Sequence, residues 1–472
     1  MTEEALTSVG IDIGTSTTQC VFSLLRLTNS APNFAIPRIE ITEKSILHRG
    51  PLRLTPMRRD HSIDLEAVRE MVLSDYAAAG IRQQDVQCGA AIITGEVARK
   101  RNAPVVLEAL SEMAGDFVVS VAGPELEGIY AGRGSGAAAL SIQTGKSVLN
   151  FDIGGGTANM CLFEHGEPVA TGCLDVGGRL IRFDGPSHNV IAFSDKASIV
   201  AQDVGVPLRV GERLSEQEAD AICRRMAEVL EEAANLRPRT ALHDRLVLAH
   251  ALPQCTTGDF HIFSGGVADC VYGREEGNIP FHDIGKTLGQ HIRKSLFFTQ
   301  ASTVRAKETQ HATVIGAGAY SMALSGSTIC YDHMIFPIKN LQVGKIRFRE
   351  ADDMDMLSER IREQRRILGN ACAIGFDGIS NPSYCQIEQA ADLIAEAMGD
   401  MTVRILICVE DMAKALGQAL IRRWGRQEPM LCLDGVSLAY GDMVSIGAPL
   451  SGGRVVPVVV KTLAFSSEAM GE

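Results

Sequence analysis

The sequence lacks an excess of basic residues, long apolar runs and a basic leader, and each absence excludes a class of protein. Its 57 acidic residues outnumber its 45 lysines and arginines, giving a net charge of -12. Surfaces that bind nucleic acid or anionic membranes need basic patches. No run of about 18 apolar residues occurs, so no transmembrane helix is expected, and residues 1–10 do not form a signal peptide. We expect a cytoplasmic protein with neither nucleic acid nor a membrane as its partner.

Paired metal-binding and disulfide motifs are also missing. The 12 cysteines contain no C-x-x-C pair, and the 11 histidines form no H-E-x-x-H motif. A disulfide scaffold and a zinc site are therefore not expected. No D-x-H-x-x-G occurs, which excludes a cobalamin domain of the base-off, histidine-ligated type. Gly285-Lys286-Thr287 resembles the end of a P-loop, but Pro280 stands where that loop needs glycine, so we reject a P-loop.

Three short apolar runs that end in glycine-rich turns organise the first two thirds of the chain. They are residues 9–14, 148–154 and 261–266. The first two runs are followed by further β-branched and apolar residues, which predicts two hairpins of the type strand–glycine loop–strand. Asp12 and Asp152 occupy equivalent places in these hairpins, 140 residues apart. This repetition indicates a duplicated α/β unit.

Hydrophobic periodicity predicts the remaining elements, and the length of 472 residues requires more than one core. Strands are predicted at 88–93 and 403–409, and helices at 104–114, 125–140, 215–235, 313–324, 353–368, 387–398 and 411–424. Near residue 328 the pattern of predicted elements changes, from hairpins with glycine loops to short strands that alternate with helices. The predicted domains are a first lobe (1–124), a second lobe beginning with a linking helix (125–327) and a C-terminal α+β accessory domain (328–472).

The glycine loops carry the predicted chemistry. Successive backbone N–H groups in a tight turn form a nest for a phosphate, and glycine allows a close approach. An aspartate at the preceding strand end can hold hydrated Mg²⁺, which predicts Asp12 and Asp152 as metal-associated residues. The third run, with Gly265 and Gly266, is predicted to support the adenosine. The predicted phosphate-binding residues are Gly14, Thr15, Ser16, Thr17, Gly154, Gly155, Gly156 and Thr157.

In the order of these three motifs, residues 6–325 resemble the actin, Hsp70 and hexokinase ATPase superfamily. The resemblance implies two RNase-H-like lobes that close over ATP and Mg²⁺. It also implies an acidic catalytic base at the start of the linking helix, after Val119-Ser120-Val121. Glu125 and Glu127 are the candidates, and we prefer Glu127.

A closer resemblance covers the whole chain. Residues 9–19, 93–100, 151–159, 263–272 and 312–320 resemble the reactivating factors of ethanolamine ammonia-lyase from bacterial ethanolamine utilisation. This implies a chaperone-like ATPase that opens the lyase and lets damaged cobalamin exchange for intact adenosylcobalamin. It further implies the lyase as partner and a location in or at a bacterial microcompartment. A homo-oligomer is compatible with the sequence.

Two other functions remain open from the residues alone. A small-molecule kinase and a filament-forming or scaffold protein can have the same fold, although we find no convincing set of sugar-binding residues. We expect residues 328–472 to help engage the lyase, because they are not needed to build the ATPase. The alternative is a domain that only covers one lobe.

Overall fold

The first lobe is built on a mixed sheet in which the first hairpin lies at the centre. The computed structural model describes residues 4–462 except 30–38, 59, 61, 96, 98–99, 112, 114–117, 121–123, 186, 249, 255–256, 275–280, 321–322, 327, 402, 426–427, 439–441 and 451. The sheet order is β3-β2-β1-β5-β6, with β4 paired to β2. The elements are β1 (Glu4–Ile13), β2 (Thr17–Asn29), β3 (Ile39–Arg49), β4 (Arg53–Leu54), α1 (Leu65–Ala79), β5 (Cys88–Ile93), α2 (Ala103–Ser111) and β6 (Val118–Ser120).

The second lobe repeats this plan with four strands in the order β12-β7-β8-β9. Its elements are α3 (Pro124–Ser135), α4 (Ala137–Thr144), β7 (Val148–Ile153), β8 (Ala158–Glu164), β9 (Glu167–Leu174), β10 (Ile181–Phe183), β11 (Val190–Phe193), α5 (Asp195–Asp203), α6 (Glu216–Ala233), α7 (Ala241–Leu246), β12 (Phe260–Ser264), α8 (Ala268–Val271), α9 (Gly285–Arg293), α10 (Leu296–Thr299) and α11 (Ala312–Tyr320). Helix α6 begins with a capping box in which Ser215 and Glu218 bond each other's backbone.

The strand registers demonstrate the duplication. Asp12 lies opposite Gln19 on antiparallel β2 and beside Ile92 on parallel β5. Asp152 lies opposite Asn159 on antiparallel β8, and its parallel neighbour on β12 is Ser264. Each aspartate is therefore the second-last residue of the central strand of its own lobe.

Helices α3 and α11 cross at the junction of the lobes, where glycines allow their backbones to touch. Helix α3 packs on β7, β8 and β9 of the second lobe, whereas α11 packs on β1, β2 and β5 of the first. A Cβ on Gly134 of α3 would overlap the carbonyl oxygen of Ala312, and one on Gly316 of α11 would overlap that of Tyr130. The two backbones therefore touch at the junction of the lobes. Duplicated lobes joined by this crossing give the protein an actin-like, two-lobe α/β fold.

The C-terminal region forms one sheet of eight strands, in the order β13-β20-β19-β15-β16-β17-β18-β14. Strands β15 to β18 are mutually parallel and alternate with helices, while antiparallel strands lie on both sides. The elements are β13 (Ala323–Leu324), β14 (Cys330–Asp332), β15 (Ile338–Lys345), α12 (Leu357–Leu368), β16 (Cys372–Phe376), α13 (Tyr384–Met398), β17 (Arg404–Cys408), α14 (Ala413–Trp424), β18 (Met430–Leu433), β19 (Asp442–Ile446) and β20 (Pro457–Thr462).

This C-terminal sheet is docked against the first lobe. Val459 of β20 belongs to the same buried apolar cluster as Leu6 and Leu25 of the first hairpin, with Leu324 packed against it. Strand β20 also contacts β6, the edge strand of the first sheet. The C-terminal region therefore shares a hydrophobic core with the first lobe.

Most predicted elements are confirmed, and the strand over 88–93 agrees to the residue. The linking helix over 125–140 is wrong as a single element: Gly136 has a left-handed conformation (φ 94°) and separates α3 from α4. The C-terminal sheet begins at residue 323 rather than 328, because β13 pairs with β20. Val121, in the segment before the predicted base, lies outside the described residues. None of the described helices is long and apolar enough to cross a membrane.

Candidate nucleotide site

The same local turn follows both aspartates. The N–H of Gly14 donates to the carbonyl oxygen of Thr17 (2.8 Å), and the N–H of Gly154 donates to that of Thr157 (2.9 Å). Each bond closes a tight hairpin directly after the central strand of one lobe. The sequence pattern Asp-x-Gly thus places one carboxylate and one glycine turn at the inner end of each sheet.

Asp12 and Asp152 are buried and hydrogen-bonded in parallel ways. Asp12 accepts from the hydroxyl of Thr94 (3.1 Å) and the amide of Gln19 (3.3 Å). Asp152 accepts from the hydroxyls of Ser264 (2.7 Å) and Thr313 (3.2 Å). In both sheets one hydroxyl donor comes from the parallel strand or from the residue directly after it, and Thr313 of α11 adds a second donor to Asp152.

Burial makes both carboxylates poor acids. It raises the pKa of Asp12 to about 7, against the lowering effect of its hydrogen bonds, and the charge of Asp152 contributes in the same direction. Burial likewise raises the pKa of Asp152 to about 6. A cation between the lobes would favour the ionised form of both groups.

Glu127 faces the two aspartates from the first turn of α3. Burial, followed by the charges of Asp152 and Asp12, raises its pKa well above the usual range, although the Gly95 backbone and the Asn159 side chain bond it. Glu125 has a different environment, because its carboxylate is exposed and lies 3.5 Å from His250. Of the two predicted bases, the structure brings only Glu127 to the aspartates.

The two predicted phosphate loops approach each other across the cleft. A Cβ on Gly155 would overlap the hydroxyl of Ser16, so only glycine fits at this point. The buried Ser16 hydroxyl has no hydrogen-bond partner among the described residues. The carbonyl oxygens of Gly154 and Gly155 accept from the N–H groups of Gly178 (3.0 Å) and Arg179 (2.7 Å), which holds them away from an incoming anion.

A cavity of about 540 Å³ lies between the loops, which is in the range of small-molecule and cofactor sites. Of the predicted residues, Ser16, Thr17, Gly154, Gly155 and Gly266 line it. Gly14, Thr15, Gly156, Thr157 and Gly265 are not part of its lining. The other lining residues are Leu52, Gly178, Arg179, Val267, Asp269, Cys270, Gly273, Arg274, Phe281, His282, Asp283, Gly285, Lys286, Gln290, Arg293 and Gln310.

The two glycines of the third motif have different environments. Gly265 has a φ of 86°, and a Cβ there would lie 2.5 Å from the carbonyl oxygen of Ile153. Gly266 lines the cavity, and a Cβ there would meet no atom within 4 Å. The turn therefore requires glycine at 265, and of the two glycines predicted to support the adenosine only Gly266 lines the cavity.

A chain of hydrogen bonds joins the third motif to the first. Asp269 accepts from the hydroxyl of Thr309 and the amide of Gln310, both at 2.7 Å. The carbonyl oxygen of Gln310 accepts from Gln19 (3.1 Å), whose amide also bonds Asp12. The cavity wall of the second lobe is thus connected to the carboxylate of the first.

Sequence reasoning missed the cationic and acidic residues of the cavity wall. Lys286 belongs to the segment that resembles the end of a P-loop, and it lies in the first turn of α9. The segment is not a P-loop, but Lys286 lines the cavity. Arg179 and Asp283 were not considered. The doublet Gly177-Gly178 after β9 was an available signal, because two glycines at a strand end indicate a close backbone approach.

The chain matches the family model described as "Ethanolamine utilisation protein EutA" over residues 4–466. The chain belongs to the EutA family. Two relatives in this family are named "Ethanolamine ammonia-lyase reactivase EutA": the Escherichia coli K12 protein is 37% identical and the Salmonella typhimurium protein 36% identical. Each alignment covers 99% of this chain and 100% of the relative.

Solved structures with low identity are also similar to this member of the EutA family. The Aquifex aeolicus PPX-GPPA enzyme is 13% identical, with a TM-score of 0.42, over 66% of this chain and 99% of its own. The ethanolamine utilization protein EutJ from Carboxydothermus hydrogenoformans is 13% identical, with a TM-score of 0.33, over 66% of this chain and 89% of its own.

Proposed function

We propose that this protein hydrolyses ATP in the cleft between its lobes and uses the resulting motion to reactivate ethanolamine ammonia-lyase. Reactivation consists of releasing damaged cobalamin from the lyase so that intact adenosylcobalamin can replace it. The observation that carries the ATPase part is the arrangement of two facing glycine loops beside two buried aspartates and the carboxylate of Glu127. The names of the relatives, which are reactivases of this lyase, support the choice of partner.

Mg²⁺ fits the chemistry of this donor set. Asp12 and Asp152 are buried carboxylates whose pKa values are raised by burial, so a bound cation would stabilise their ionised forms. In the described part of the chain, no three His, Cys, Asp or Glu side chains form a metal site by themselves. Mg²⁺ usually keeps several waters and takes one or two carboxylates plus phosphate oxygens, so the two aspartates would hold it mainly through water. When bound, the ion neutralises charge on the phosphates.

Glu127 is the proposed proton acceptor. The charges of Asp152 and Asp12 both act on its carboxylate, and in its ionised form this carboxylate can accept a proton from an attacking water. The amide of Asn159 and the backbone of Gly95 hold the carboxylate in place. Ser16 supplies a hydroxyl without a protein partner, which we assign to a phosphate oxygen.

The crossing of α3 and α11 provides the link between hydrolysis and motion. Helix α3 carries Glu127, and α11 carries Thr313, which donates to Asp152. A change of charge at the carboxylates therefore acts directly on the two helices that join the lobes. ATP can drive a rearrangement only if it binds one lobe arrangement better than the other.

The test combines this protein with purified ethanolamine ammonia-lyase that has been inactivated with its cobalamin in place. We expect activity to return when Mg-ATP and adenosylcobalamin are added, and not with a non-hydrolysable ATP analogue. Asp12→Asn should abolish the recovery. No recovery by the wild-type protein at full ATPase activity would refute the reactivation function and leave the ATPase proposal standing.

The same preparation addresses the alternatives and the location. Stoichiometric phosphorylation of a small molecule would support a kinase, and nucleotide-dependent pelleting would support a filament. The proposal places the protein in the cytoplasm, in or at a bacterial microcompartment. Co-purification with such compartments checks the location.

A further inference from the structure

The loop after β9 brings one arginine to the point where the two phosphate loops meet. The N–H of Arg179 donates to the carbonyl oxygen of Gly155 (2.7 Å). A Cβ on Gly155 would lie 3.2 Å from the Cβ of Arg179, on the same glycine that faces Ser16. The backbone of Arg179 is therefore fixed at the phosphate end of the cleft, and its side chain lines the 540 Å³ cavity.

The guanidinium of Arg179 is poorly satisfied in this position. Its Nη1 donates to the carbonyl oxygen of Phe281 at 3.3 Å and lies 3.7 Å from the carboxylate of Asp283. The second distance is beyond a hydrogen bond. Arginine has five N–H donors, and the described residues engage one of them.

The electrostatics agree with this geometry. Burial lowers the pKa of Arg179 despite the attraction of Asp283, and burial raises the pKa of Asp283 to about 6 despite Arg179. Desolvation therefore outweighs the attraction between the two groups. Arg179 is therefore a partly exposed cation at the wall of the cavity, with donors that an anion in the cavity could use.

We propose that Arg179 binds the terminal phosphate of the nucleotide, exchanging its contacts with Phe281 and Asp283 for phosphate oxygens. The inference rests on the proposed ATP binding and identifies the residue that distinguishes ATP from ADP. The planar guanidinium can donate two parallel hydrogen bonds to a phosphate. Asp283 holds the side chain at the edge of the cavity until the phosphate arrives.

The first experiment measures binding of Mg-ATP, Mg-ADP and adenosine by calorimetry to the full chain. Arg179→Gln should weaken ATP binding by about tenfold to a hundredfold, the range for hydrogen bonds to charged groups, and ADP binding much less. Adenosine binding should not change. The matched control is Arg182→Gln: Arg182 is exposed and lines a neighbouring cavity of about 190 Å³, but not the large one. It should bind all three ligands like the wild type.

A second variant separates phosphate binding from a structural ion pair. Asp283→Asn keeps an acceptor for the N–H of Gly285, which Asp283 bonds at 2.9 Å, but removes the charge that attracts Arg179. It should preserve or increase the preference for ATP over ADP. The inference about Arg179 is overturned if Asp283→Asn and Arg179→Gln lose equal thermal stability and both keep the wild-type ratio of ATP affinity to ADP affinity. The proposed function would stand after that result. A wild-type chain that does not bind ATP would refute the proposed function as well.

Discussion

Replacing Asp12 with asparagine should increase stability while abolishing ATP hydrolysis. Asp12 is 7% exposed, and its pKa is raised from 3.8 to about 7 because the folded protein buries the charge. A shift of about 3 units corresponds to at most ~4 kcal/mol of unfavourable free energy above pH 7. Asp152 and Glu127 carry part of the same electrostatic cost, so removing the charge of Asp12 alone should stabilise the protein by a smaller amount, ~1–3 kcal/mol. Asparagine can keep both hydrogen bonds, because the hydroxyl of Thr94 can turn to accept.

The sign of the effect depends on pH. The unfolded chain loses the proton near pH 4, and the folded protein keeps it until about pH 7. The wild type therefore loses stability as pH rises through this window, and the advantage of Asp12→Asn grows with it. Thermal unfolding without nucleotide should show a small difference at pH 4.5 and a higher midpoint for the variant at pH 8. At roughly 1 °C per kcal/mol for a chain of this length, the increase is about 1–3 °C.

Asp75 provides the control, because it is also a buried carboxylate but, unlike Asp12, forms an ion pair with an arginine. It accepts two hydrogen bonds from Arg53, at 2.8 and 2.9 Å. Asp75→Asn breaks a buried ion pair and should destabilise the protein by about 3 kcal/mol. If Asp12→Asn also lowers the midpoint at pH 8, Asp12 is a structural residue and the reasoning is wrong. If ATPase activity survives, the assignment of Asp12 to the phosphate site is wrong.

Three further predictions concern the base, the third motif and the helix crossing. Glu127→Gln should reduce ATP turnover by about 10²–10⁴-fold with nearly unchanged ATP affinity; equal losses of turnover and affinity would argue against a base. Gly266→Val should weaken ATP binding at a normal thermal midpoint, whereas Gly265→Val should lower the midpoint; the reverse result would contradict the cavity assignment. Gly134→Ala should lower the midpoint by more than Gly145→Ala, whose Cβ has open space and whose cost is that of a left-handed backbone (φ 64°) alone; an equal or smaller loss for Gly134→Ala would show that the crossing tolerates a side chain.

The sequence predicts the parts of the site that depend on local patterns. The two hairpins follow from short apolar runs, a strand-end aspartate and glycine turns, so Asp12 and Asp152 could be placed before any coordinates. Helix α6 is similarly predictable from its periodicity and from the capping pair Ser215 and Glu218. In these cases neighbouring residues determine the conformation.

The missed features depend on contacts that local patterns do not contain. Arg179 reaches Gly155 only because β9 returns antiparallel to β8, and Lys286 enters the cavity from a helix more than a hundred residues after the second loop. The break at Gly136 cannot be predicted from local sequence, because glycine occurs both within helices and at their ends. The strand order of the C-terminal sheet likewise depends on pairing between distant segments.

The attachment of the C-terminal sheet gives the molecule a lever. The sheet contacts the first lobe through β20 and Val459, while β14 lies at the opposite edge of the eight strands. Six strand spacings of about 4.8 Å place that edge roughly 29 Å from the attachment. If the lobes rotate by about 10°, an arm of this length moves its far end by about 5 Å relative to the second lobe. A small closure at the phosphates would thereby become a displacement on the scale of a protein side chain, far from the nucleotide.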